Sequence, residues 1–191
     1  MTRWRTIDIV VASVLGVAFG VVFWAWNNLW TATTGAFAGF PPSQALLYGV
    51  WLLPAVLGGL ILRKPGAAVY CETIAAIVSA LLGDAWGVTV VPQGIIEGLG
   101  AELVFLAVAY RSFRLPVAVL AGAAAGLAAT GFDAFYWLRG TSWATYRLPY
   151  MGLGVVSAAV IAGLGGWALT RALAQAGVLD RFASGKERTA V

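Results

Sequence analysis

With 191 residues, 61% of them hydrophobic and only 10% charged, and a mean hydropathy of +0.86, the chain falls outside the soluble globular class. Composition makes it an all-α integral membrane protein, and its length suits a six-transmembrane-helix bundle with short joins and no soluble domain, so any energy source belongs to another subunit. The net charge of +4 follows topology and does not point to nucleic acid. With no histidine and the single Cys71, a transition-metal site would be built almost wholly from oxygen ligands; no metal, cofactor or intrachain disulfide is expected.

Hydropathy places the spans at about 7–26, 45–62, 67–82, 94–110, 115–138 and 148–169, in one domain over 1–183 followed by a disordered cytoplasmic tail over 184–191. Arg3 and Arg5 precede span one, Arg63 and Lys64 join spans two and three, and Arg111 and Arg114 join four and five. Arg171, Arg181, Lys186 and Arg188 follow span six, whereas the opposite side holds only Arg139 and Arg147. The positive-inside rule therefore puts both termini in the cytoplasm of a multi-pass plasma-membrane protein. Two arginines before an apolar run also describe a secretory signal, with Ala36-Phe37-Ala38 as its cleavage site. The run is too long and the tripeptide too far beyond it, which favours an uncleaved first helix.

In chain order, span one carries Ala12, Gly16 and Gly20 at four-residue spacing, a smooth stripe suited to close helix approach, either within the bundle or against a partner subunit. It ends in Trp24, Trp26, Asn27, Asn28 and Trp30, and residues 27–44 read as a long external loop closed by Pro41-Pro42. Span two brings Tyr48 and Trp51, then the turn Arg63-Lys64-Pro65-Gly66. Glu72 lies in the inner half of span three, with Asp84 and Trp86 after it. Span four carries Gln93, Glu97 and Glu102. Span five carries Gly122 and Gly126, then Asp133, Tyr136 and Trp137 at its outer end; Trp143, Tyr146 and Tyr150 follow. Span six repeats the small-residue stripe with Gly154, Ala158, Ala162 and Gly166, which, like that of span five, suits internal packing.

An aromatic belt should appear at both faces of a membrane protein. Here the aromatics crowd the outer side, while the inner side offers little beyond Trp4, Tyr110, Phe113 and Trp167, so some outer rings are expected to line a cavity. Such a cavity suits a planar ring or an organic cation, which gains about 0.5–2 kcal/mol over an aromatic face. A carboxylate in hydrocarbon needs a partner, a wet cavity or a ligand. Glu97 lies about 6 Å below Gln93 and Asp133 about 9 Å below Arg139, at 1.5 Å per residue, within reach of such a cavity. Gln93 and Glu97 share a helix face and can hydrogen-bond a heterocycle that offers donors and acceptors. Glu102 is deeper and turned away from Glu97; for it and Glu72 a helix-to-helix hydrogen bond is as good a reading as substrate contact. Asp84 reads as a solvated or capping residue. No phosphate loop, nucleophile elbow or zinc-protease motif is present, and without histidine the usual general base is missing, so binding or transport fits better than catalysis.

The stretch Glu72-Thr-Ile-Ala-Ala-Ile-Val-Ser-Ala-Leu-Leu-Gly83-Asp84-Ala85-Trp86-Gly87, followed by Gln93-Gly-Ile-Ile-Glu97-Gly98-Leu-Gly100-Ala-Glu102-Leu-Val-Phe105, resembles the YkoE family. Those proteins are substrate-binding S components of energy-coupling factor (ECF) vitamin transporters, associated with thiamine or its hydroxymethylpyrimidine precursor. The resemblance implies a small six-helix protein that captures a vitamin from outside and works with a transmembrane coupling (T) subunit and a pair of cytoplasmic ATPases. It gives the stripe Ala12, Gly16, Gly20 the role of contacting the coupling subunit, and it implies toppling of the S component in the membrane. Some members carry a cobalt-transport label, against which the absence of histidine speaks. The ligand is then expected in the outer half of the bundle, with Glu97 and Gln93 facing the pyrimidine and Glu102 below as a second acceptor. Trp24, Trp51, Tyr136 and Trp137 would stack, Asn27 and Trp86 would close the mouth, and Asp133 stands within reach. An S component for a different vitamin, and a ligand-free membrane assembly subunit, are the alternatives.

Overall fold

In the computed structural model, which describes residues 3–186, helices α1 (Thr6–Thr33), α2 (Leu53–Leu62), α3 (Ala67–Leu81), α4 (Val90–Ala107), α5 (Leu115–Tyr136), α6 (Leu148–Ala158), α7 (Gly166–Gln175) and the short α8 (Ala183–Lys186) follow one another with no strand among the described residues. Five continuous helical stretches are long and apolar enough to cross a membrane: Thr6–Phe37, Pro41–Leu62, Gly87–Ala107, Leu115–Tyr136 and Trp143–Gln175. The remaining apolar helix, α3, has 15 residues, about 22 Å at 1.5 Å per residue, which is short of the roughly 30 Å hydrocarbon layer. Around the bundle α1 packs on α3, α3 on α4, α4 on α5 and α5 on α6, with α2 in the middle. Every residue of α2 from Pro54 to Leu62 is buried, which is why that helix shows no polar face.

The entry to α2 is not α-helical. Pro41–Val50 forms a 3-10 helix of 10 residues that leads into α2, far longer than the usual 3–4 residues of that conformation. Contacts from outside hold it: Ser157 Oγ donates to the Leu46 carbonyl (2.6 Å) and accepts from Gly49 N–H (3.0 Å). Below it, Ala55 N–H donates to Glu72 Oε2 at 2.8 Å, so Glu72 serves a helix-to-helix bond. The expected loop over 27–44 is therefore mostly helix: α1 runs to Thr33, a 3-10 turn covers Thr34–Phe37, and Pro41-Pro42 start a helix instead of ending a loop. Proline is well suited to that first turn because its missing N–H has no helical partner there.

Small residues set the closest approaches. On spans five and six, a Cβ at Gly163 would stand 2.7 Å from Val119 Cα, and one at Gly126 would stand 2.6 Å from Ala158 Cβ. There the helix widens to a π conformation over Ala159–Gly165. The stripe of span one packs inside the bundle, the first of the two readings its spacing allowed. Ala12, Gly16 and Gly20 are buried, a Cβ at Gly16 would stand 2.6 Å from Ile74 Cγ2, and Cys71 Sγ lies 3.7 Å from the Ala12 carbonyl. Helix α3 occupies the groove that the stripe makes. The outward face of α1 carries Val10, Val14, Val17 and Val21 instead.

Polar contacts lock the end of the bundle that carries both chain ends. Asp8 is fully buried and pairs with Arg5 (2.9 Å) and Lys64, while Trp4 Nε1 donates to the Pro65 carbonyl at 3.1 Å. Glu102 belongs to this end. Its carboxylate accepts from Gly66 N–H (2.6 Å), Ala68 N–H (2.9 Å) and the Tyr110 hydroxyl, so it caps the orphan donors that begin α3. The chain after residue 183 also departs from expectation: α8 spans Ala183–Lys186 and Ser184 Oγ donates to the Ile61 carbonyl at 3.1 Å. The rest of the expected tail, 187–191, lies outside the described residues.

Candidate functional site

At the opposite end a cavity of about 290 Å³ opens among α1, the 3-10 helix, α4, α5 and the start of α6. Helical spacing explains which side chains reach it. Phe23, Asn27 and Trp30 repeat at three- and four-residue steps on α1, Gln93 and Glu97 are four apart on α4, Asp133 and Trp137 four apart on α5, and Tyr146 and Tyr150 four apart at the start of α6. In a 3-10 helix positions i and i+3 eclipse, which keeps Tyr48 and Trp51 on one face with ring centroids 5.2 Å apart.

The polar floor is a network centred on Asp133. Its Oδ2 accepts from the hydroxyls of Tyr48 and Tyr150, both at 2.8 Å, and its Oδ1 stands 3.2 Å from Gln93 Nε2. The same Gln93 nitrogen stands 2.8 Å from the Tyr48 hydroxyl and 3.1 Å from Glu97 Oε1. An amide nitrogen has two hydrogens, so it cannot satisfy three acceptors at once and the network keeps acceptor capacity in reserve. Glu97 is only 5% exposed, and its second oxygen takes no hydrogen bond from any described residue. With Asp133 and Glu97 on one wall and no basic side chain lining the cavity among the described residues, the arrangement suits a group that donates hydrogen bonds or carries positive charge.

Rings form the other walls. Trp30 and Trp51 have centroids 5.0 Å apart, Tyr48 and Trp51 5.2 Å at 74°, and Trp51 and Trp86 6.0 Å at 85°, a largely edge-to-face cluster. Trp51 is fixed by its indole N–H, which donates to Asn27 Oδ1 at 2.8 Å. The Asn27 amide donates in turn to Ser79 Oγ (3.3 Å) and to Asp84. Asp84 also accepts from Ser79 Oγ (2.6 Å) and Trp86 N–H (2.9 Å), tying the α3–α4 connection to α1 at the rim.

Of the residues expected to meet a ligand, Gln93, Glu97, Asn27, Trp51, Trp86, Asp133 and Trp137 line this cavity together. Three do not. Glu102 is at the other end for the reason given above. Trp24 is 42% exposed, on the outward face of α1 that also carries Val17 and Val21. Tyr136 is 44% exposed, stacked on Phe132 at 5.2 Å. Gln44 is a lining residue that the sequence did not single out, and Tyr48, Tyr150 and Trp30 stood out there only among the outer aromatics. Tyr48 and Trp51 are three positions apart and share a face under an α or a 3-10 period alike. Asp84 is a cap for Trp86 N–H, as its position suggested, but a partly buried one at the rim.

Fold and cavity together define a multi-pass helical membrane protein with an acidic, aromatic-walled cavity at one end. Residues 7–128 match the model of the family described as "ABC-type cobalt transport system, permease component". The chain is 37% identical over 187 residues to the "Putative HMP/thiamine permease protein YkoE" of Bacillus subtilis (strain 168), covering 98% of this chain and 93% of that one. It superimposes on the "Crystal structure of an S-component of ECF transporter" with a TM-score of 0.92 at 37% identity, over 98% of this chain and 94% of the other. The chain belongs to the YkoE family of ECF transporter S components, a family of transport proteins without enzymatic activity. Among the described residues no group of three or more His, Cys, Asp or Glu is placed to hold a metal ion.

Proposed function

We propose that this chain is the high-affinity substrate-capture subunit of an ECF-type importer, taking hydroxymethylpyrimidine or thiamine from the external side. The observation that carries the reading is the open oxygen of Glu97 beside Gln93, in a site walled by Trp51, Trp86 and Trp137. An aminopyrimidine donates from its exocyclic amine to a carboxylate and accepts from an amide, which matches that pair. The thiazolium of thiamine is a permanent cation, and rings within about 6 Å of it contribute about 0.5–2 kcal/mol. A volume of about 290 Å³ sits at the low end of the roughly 300–1,000 Å³ range for small-molecule pockets, which favours a compact heterocycle over a larger vitamin.

Orientation follows from charge. Arg3, Arg5, Arg63, Lys64, Arg111, Arg114, Arg171 and Arg181 gather at the end bearing the termini, against Arg139 and Arg147 at the cavity end, which supports cytoplasmic termini and an outward-facing cavity. Energy then comes from a transmembrane coupling subunit and a pair of cytoplasmic ATPases. Cobalt, which the family description names, fits the donor set poorly, since the chain has no histidine and borderline divalent metals favour imidazole. Calorimetric titration of the purified protein with hydroxymethylpyrimidine, thiamine and cobalt(II) tests the reading. Nanomolar binding of either organic ligand supports it; cobalt binding alone, or no heat with any of the three, overturns it.

A further inference from the structure

A second cavity, of about 840 Å³, opens at the end that carries the chain termini, between the α2–α3 turn, the start of α5 and the end of α7. Its lining is strongly basic: Arg63, Arg111, Arg114 and Arg171 converge on it from three separate elements, and no acidic side chain lines it among the described residues. Asp8 and Glu102, at the same end of the bundle, are already committed to Arg5, Lys64 and the α3 N-terminus. No carboxylate pairs with Arg111, Arg114 or Arg171 among the described residues. The first turn of α5 has no side-chain cap and adds its positive dipole end to the same place. Positive-inside bias accounts for arginines at this end of the molecule, but not for their convergence on one hollow.

We propose that this hollow binds the phosphate head group of an anionic phospholipid, with Arg111, Arg114 and Arg171 as its ligands. The floor distinguishes a lipid from a soluble anion. Arg171 lies over the Trp167 ring at 4.8 Å and Arg63 over Phe113 at 4.6 Å, so each guanidinium stands on an apolar surface, the arrangement of a membrane interface. Leu115 continues that surface, and Leu120, Leu164 and Leu169 are outward apolar side chains on the same spans, 60%, 44% and 43% exposed. A free phosphate would use the arginines and leave this apolar track without a role; an acidic protein segment would need neither the track nor a hollow.

The test uses the full chain in neutral detergent, titrated with phosphatidylglycerol or phosphatidylcholine and read by native mass spectrometry for retained lipid. Phosphatidylglycerol should be retained preferentially, and Arg111→Gln with Arg114→Gln should weaken it about fivefold per arginine removed, with hydroxymethylpyrimidine binding unchanged. Arg171→Gln should do the same from the other wall, and about 1 M salt should abolish the preference in the unaltered protein because the screening length falls to about 3 Å, so the test stands even where a variant fails to fold. Equal retention of the two lipids, insensitivity to these variants and to salt, or displacement of phosphatidylglycerol by millimolar inorganic phosphate would each overturn the proposal.

Discussion

Glu97 and Glu102 sit five positions apart on α4 and do opposite jobs. Glu97 keeps one oxygen without a protein partner in a cavity, whereas Glu102 spends its carboxylate on two backbone N–H groups and a hydroxyl. Glu97→Gln should therefore weaken ligand binding about 10- to 100-fold, since a hydrogen bond to a charged group is worth about 1.5–3 kcal/mol, with thermal stability little changed. An unaltered dissociation constant by calorimetry would remove Glu97 from the site. Glu102→Ala should show the reverse: a loss of about 1–3 kcal/mol for the unsatisfied buried donors, seen as a lower melting temperature, with the ligand affinity of the folded protein unchanged. The sequence could set these two acids on different faces and depths, because the helical period is fixed. It could not say which one meets a ligand, because that depends on which neighbouring helix end each acid faces.

At the scale of elements, the 3-10 helix Pro41–Val50 is the feature on which the site depends. It places Tyr48 and Trp51 on one face and is held by Ser157 and, just below, by Glu72. A Cβ at Gly49 would lie 2.5 Å from the Ser157 carbonyl oxygen. Gly49→Ala should then push the element off span six, costing about 1–3 kcal/mol as other overpacked sites do, and it should weaken binding although Gly49 touches no ligand. Measuring melting temperature and affinity on the same preparation checks this; a stable variant with full affinity would show that the contact yields without moving Tyr48. Hydropathy does not distinguish a 3-10 from an α period. The stripe Ala12, Gly16, Gly20 had the same ambiguity, since small residues license a close approach without naming the helix that makes it; α3 makes it here.

At the scale of the molecule, one end is bound together by Asp8, Lys64, Glu102 and the docked α8, and the other holds a hollow lined by rings and acids. That polarity suits a capture protein whose acidic, ring-lined cavity opens at one end. Cysteine accessibility tests its orientation, since native Cys71 is buried and silent. Gly39→Cys, where a side chain meets nothing within 4 Å, should react with a membrane-impermeant reagent in intact cells. Ala176→Cys, exposed after α7, should react only after lysis. The opposite pattern would invert the topology and put the acidic cavity inside the cell.

The sequence alone determined the class, the charge asymmetry and seven of the side chains that meet in the cavity. Those follow from local rules: transfer free energy per residue, helical period and the cost of a charge in hydrocarbon. Only the tertiary structure decided that Glu102 and Glu72 serve backbone donors, that Trp24 and Tyr136 face outward, that α3 fills the small-residue stripe, and that Tyr48 and Tyr150 clasp Asp133. Each of those outcomes depends on which elements lie side by side, and in a membrane every helix is apolar enough to accept several neighbours, so close packing and the satisfaction of buried polar groups make the choice.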